Sequence, residues 1–151
     1  MNNIVAVCAM LCSITFLAIA TLAAPWVISD YNKFLLGFVN QEFLSFMGVI
    51  VTITLASAAN IHIELNRYEE AHEGVSFANT KRHVRHSAYA LVGALCASIL
   101  TVVIKPLVSG TETGQAVANG FALLILVFST LILIDLTQAA FALEPLKRPK
   151  R

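Results

Sequence analysis

Four polar residues, Ser57, Asn60, Glu64 and Arg67, follow one another at steps of three and four, so a helix carries them on one face. The same face continues through Ile53, Ile50 and Phe46, polar at one end and apolar at the other. Such a stripe suits one wall of a pore with a hydrophobic constriction. It equally suits a helix–helix seam held by the Asn60 amide, with Glu64 and Arg67 already in water. The two readings are compatible in an oligomer. Asp135 is a second candidate, with Gln138 one turn further on. A carboxylate near a helix C-terminus faces the negative end of the helix dipole. That predicts a basic partner, and Arg67 or Arg85 lies at the same depth. Asp135 then serves as an interfacial pair fixing helix rotation, or as an ion or proton site.

Four histidines, His62, His72, His83 and His86, gather near the same level. Glu69 and His72 have the Glu-x-x-His spacing of di-iron helical bundles, but such sites need two of these motifs and two further carboxylates. With His83 and His86 they make a weak metal set, and a solvated basic patch beside anionic headgroups is the plainer reading. Lys81, Arg82, Arg85, Lys147 and Arg148 are the candidates for contact with headgroups or a partner. Cys8, Cys12 and Cys96 all fall in apolar runs and read as small apolar side chains. The chain has no Gly-rich phosphate loop, no Ser/His/Asp pattern and no His-Glu-x-x-His. Neither an enzyme nor a cofactor is expected, and no basic stripe interleaved with aromatics points to nucleic acid.

The elements that must hold these residues follow from composition. Of 151 residues, 58% are hydrophobic and 13% charged, and the mean hydropathy is +0.77. Soluble domains average roughly 25% charged and about 45–50% apolar residues, and so short a chain cannot hide this much apolar surface in one core. Four stretches reach the roughly 20 apolar residues that cross about 30 Å of hydrocarbon: residues 4–24, 43–63, 87–104 and 116–135. Only helices satisfy every backbone group at that length inside lipid. The expected fold is all-α: one transmembrane domain, a four-helix bundle whose second and third helices extend into a cytoplasmic hairpin over 64–86. The first stretch exceeds a signal-peptide core, and Met1-Asn2-Asn3 lacks Lys and Arg, so a retained span is expected.

Orientation comes from the cations. Arg67, Lys81, Arg82 and Arg85 lie between spans two and three, and Lys147, Arg148, Lys150 and Arg151 lie in the tail over 144–151. Only Lys33 and Lys105 fall on the other side. The positive-inside rule places both termini and the hairpin in the cytoplasm of an inner-membrane protein. Between spans one and two, Trp26, Tyr31, Phe34 and Phe38 suit headgroup depth, with a short surface helix over 31–38 acting as anchor, pore cap or partner site. Residues 107–115 read as a turn. In the hairpin, Gly74 fits a helix C′ position, and Ser76 or Asn79 is expected to cap the following helix. Ala90, Ala94 and Ser98, Gly93 with Ala97, and Ala56 with Ala59 are small-residue packing faces.

In size, span count, cytoplasmic termini and charged inner hairpin, the chain resembles the small four-span prokaryotic membrane effectors of phage defence and superinfection exclusion. The resemblance is one of architecture and carries no motif, so it transfers no residue. It implies homo-oligomers that permeabilise or depolarise the inner membrane when a cytoplasmic sensor activates them. Beside this stands a non-conducting anchor that recruits a cytoplasmic protein through the hairpin and basic tail. A small transporter is the third reading, although broken helices and internal repeats are both missing.

Overall fold

The computed structural model describes residues 3–72 and 76–143, and within them every regular element is a helix. In chain order these are α1 (Asn3–Ala23), α2 (Pro25–Ile28), α3 (Lys33–Phe38), α4 (Gln41–Ala71), α5 (Ala78–Val108) and α6 (Glu112–Leu143). Helices α1, α4, α5 and α6 are long and apolar enough to cross a membrane, the character of a multi-pass membrane protein. At 1.5 Å per residue, the 31 residues of α4 and of α5 reach about 46 Å. Each therefore outruns a hydrocarbon layer of about 30 Å by several turns.

Local chemistry explains the helix starts near the short elements. Pro25 opens α2, where its missing N–H is no loss. Asn32 caps α3 by accepting from the Phe34 N–H at 3.1 Å, so this short helix begins at Lys33 rather than at residue 31. Asn40 does the same for α4, accepting from the Glu42 N–H at 2.8 Å, and Glu42 complements the positive end of the dipole. Phe38 then stacks on Phe34 and meets Phe43 and Phe46 edge-on, which fastens α3 to the start of α4.

The main seam lies between α4 and α5. The buried residues of α4 are Phe43, Met47, Val51, Thr54, Ala58, Ile61 and Leu65. Those of α5 are Val84, Ser87, Leu91, Ala94, Ser98, Thr101 and Lys105. Both sets recur at three- and four-residue steps, the spacing that brings helices together at a shallow crossing angle. In lipid, association rests on close packing rather than on a hydrophobic driving force. Ala58, Ala94 and Ser98 supply the small surfaces for it. Buried hydroxyls turn back on their own helices, Ser98 to Ala94 O at 2.8 Å and Thr54 to Ile50 O at 2.6 Å. Helix α6 packs on α5, α4, α2 and α1, whereas α1 buries only Leu17 among its described side chains.

Several expected boundaries move. Helix α5 runs through Pro106 to Val108, and α6 starts at Glu112, leaving only residues 109–111 as the turn. Neither Ser76 nor Asn79 caps α5: Phe77 stands at the N-cap position without a side-chain cap, and Asn79 is already helical. The expected C′ residue Gly74 lies outside the described residues. The two ends of the molecule are called here the cap end, with α2, α3 and the α5–α6 turn, and the hairpin end, where α4 passes to α5.

Candidate functional site

The stripe on α4 faces away from the rest of the chain. Ile53, Ser57, Asn60 and Arg67 are exposed and Glu64 is half-buried, while the opposite face of α4 makes the seam with α5. The apolar continuation is exposed as well, with Phe46 at 46% and Ile53 at 59%. Ser57 satisfies its hydroxyl on Ile53 O at 3.0 Å. The Asn60 amide has no hydrogen-bond partner among the described residues. Glu64 and Arg67 approach to 3.8 Å in an i,i+3 pair, and with Arg67 73% exposed the pair adds little to stability. Ala56 and Ala59 lie on the exposed side too, and Ala59 borders the groove between α4 and α5.

Past the apolar stretch, the hairpin end is braced by one carboxylate. Glu69, on the extension of α4, accepts from the Phe77 backbone N–H and from Lys81 Nζ, and so ties α4 to the first turn of α5. The Lys81 hydrogen bond, then that of Phe77, holds the Glu69 carboxyl below its ordinary range against the opposing effect of desolvation. Tyr68 stacks on His72 at 4.2 Å and meets Phe77 edge-on. Glu69 thus does the capping expected of Ser76 or Asn79.

Asp135 finds its partner in a histidine. His83 Nε2 lies 2.8 Å from Asp135 Oδ2 and joins α5 to α6, where sequence reasoning looked to Arg67 or Arg85. Arg82, Arg85 and His86 are exposed. Arg85 and His62 line a groove between α4 and α5. The weak metal set is dispersed: Glu69 on Lys81, His72 on Tyr68, His83 on Asp135. No group of three or more His, Cys, Asp or Glu among the described residues is placed to hold a metal ion. Lys147 and Arg148 lie outside the described residues.

Sequence reasoning missed the most buried polar cluster, at the cap end. Lys105 Nζ lies 2.8 Å from Asp30 Oδ1, with the side chains only 10% and 17% exposed. The Lys105 ammonium also reaches Val39 O at 3.4 Å. From α6, Asn119 Nδ2 donates to Asp30 Oδ1 at 3.0 Å and to Ile28 O at 2.8 Å. Gln115 Oε1 accepts from the Asp30 N–H at 3.3 Å, and its Nε2 donates to Ser109 O at 3.0 Å. One segment of the α2–α3 connection is thereby tied to both α5 and α6. A signal was available: Lys105 ends a long apolar run and needs a carboxylate at that end, where only Asp30, Glu42 and Glu112 occur.

No family model, curated protein or solved structure matches the chain.

Proposed function

We propose that the protein is a four-helix transmembrane bundle that assembles with copies of itself into a pore or channel-type effector. Both termini and the 64–86 hairpin lie in the cytoplasm, on the side where the cations concentrate. The observation that carries this reading is the outward direction of the α4 stripe. An amide such as that of Asn60, one turn inside an apolar stretch and without a partner among the described residues, is costly against lipid. It is satisfied by water in a conduit or by another copy, and an interhelical polar contact contributes about 1–2 kcal/mol in model peptides. Ile53 and Phe46 then form the apolar constriction, and Ser57, Asn60, Glu64 and Arg67 the polar vestibule. Perturbing the potential of the inner membrane, as the resembled phage-defence effectors do, is the corresponding biological role.

The test is ion leak from vesicles that contain the purified protein, read with a potential-sensitive dye. Asn60→Leu and Glu64→Gln are each expected to change the leak severalfold. Unchanged leak in both variants rejects this face as the conduit. A second reading draws on the bracing of the hairpin by Glu69, Lys81 and Phe77, which makes a rigid platform for recruiting a cytoplasmic protein. Capture of such a protein, lost on deleting 64–86 from a chain that never conducts, favours it.

A further inference from the structure

Between α1, α5 and α6, at the hairpin end, lies a groove of about 410 Å³. Its walls are almost wholly apolar, with Val7, Met10 and Leu11 on one side and Ala90, Phe128 and Leu131 on the other. It ends at His83, His86 and Asp135. The same two histidines border a second depression of about 470 Å³, completed by Asn79, Arg82, Arg85 and Tyr89. An apolar channel therefore runs directly into a cationic basin.

We propose that the joined groove binds one anionic phospholipid, with its phosphate among Arg82, Arg85 and His86 and one acyl chain along α1 and Phe128. The depths agree with this assignment. Arg82 and Arg85 stand just outside the apolar stretch beginning at residue 87, at headgroup level, while Ala90 and Phe128 lie about 10 Å further along their helices, counted from His83 and Asp135. Tyr89 is 70% exposed and presents a phenol at that same boundary. Charge selects the occupant. Arg82 and Arg85 make no ion pair among the described residues, and the one carboxylate lining either depression, Asp135, is engaged by His83. A zwitterionic lipid brings its own cation into this basin and gains less. The tail, with Lys147, Arg148, Lys150 and Arg151, carries charge of the same sign as the basin, which makes an anionic lipid the better-matched occupant. The site lies away from the α4 stripe, so it stands whether or not that stripe lines a pore.

The experiment uses the full chain in nonionic-detergent micelles, with lipid retention read by native mass spectrometry and affinity by titration. The probes are phosphatidylglycerol, phosphatidylcholine of the same chains, and glycerol phosphate alone. One phosphatidylglycerol is expected to be retained about tenfold or more tightly than phosphatidylcholine, with glycerol phosphate binding far more weakly. Arg82→Gln with Arg85→Gln should lower phosphatidylglycerol affinity about thirtyfold. Ala90→Leu, which fills the apolar channel, should lower it about tenfold with helicity unchanged. Equal affinity for the two lipids, full affinity for glycerol phosphate alone, or wild-type affinity in both variants overturns the proposal. So does phosphatidylglycerol binding that appears only when the chain is cut after residue 143, because the tail is then the occupant.

Discussion

Removing one partner of the Asp30–Lys105 pair should cost more than removing both. In the Asp30→Asn variant, the new amide oxygen can still accept from Asn119 and from Lys105, which both meet Oδ1, but the Lys105 ammonium, 10% exposed, loses its counter-charge. Breaking a buried pair this way costs about 3–5 kcal/mol, because the stranded charge is not resolvated. In Lys105→Met, the Asp30 carboxylate retains the Asn119 donor at 3.0 Å and its somewhat greater exposure of 17%. The expected loss is smaller, about 2–3 kcal/mol. The double variant strands no charge and should sit within about 1–2 kcal/mol of wild type, so its loss falls far short of the sum of the two single losses. Unfolding in mixed micelles can be followed through Trp26, the only tryptophan, which lies on α2 next to this cluster. Two results would refute the reasoning: losses that simply add in the double variant, or single variants each within about 0.5 kcal/mol of wild type.

Other perturbations test separate parts of the fold. Glu69 has a lowered folded-state pKa, so its contribution to closing the hairpin is present above the unfolded carboxylate value and is lost as pH falls through the lowered folded one. Amide exchange at Phe77 should accelerate in that acidic window beyond the intrinsic rate, and Glu69→Gln should abolish the pH dependence. A Cβ at Gly114 would meet Val108 O at 2.0 Å, so Gly114→Ala should destabilise by about 1–3 kcal/mol. Gly93 has open space, and Gly93→Ala should stabilise α5 by about 0.5–1 kcal/mol. Comparing the two alanine variants in one unfolding assay reads the difference. Ser129 is buried with no partner for its hydroxyl among the described residues, so Ser129→Ala is expected to be neutral or slightly stabilising. A loss of about 2 kcal/mol would reveal an unrecognised hydrogen bond.

What could be read from the sequence was whatever depends on residues close together in it. The four apolar stretches are visible because a hydrocarbon layer imposes a length and a composition, and each coincides with a long helix. The α4 stripe is visible because three- and four-residue steps define a face. Which way that face points is not a local property, since it depends on α4 turning Phe43, Met47 and Leu65 toward its neighbours. Glu69 replaces the expected caps from eight residues before Phe77, beyond the reach of capping rules. Asp30 and Lys105 are 75 positions apart and Asn119 lies on a different helix, so only the fold brings them together. His83 displaces the arginines as the Asp135 partner for the same reason.

The cap-end cluster also decides how the start of the chain is held. Helix α1 buries one described side chain along its length, so its place rests on its packing along α6 and on the passage through Ala24 into α2, whose Ile28 carbonyl accepts from Asn119 of α6. The same helix α6 therefore sets both the entry of α1 and the position of Val7, Met10 and Leu11 as one flank of the groove. A substitution at Asp30 or Asn119 should reach that flank through α6, although no residue of the cluster touches it.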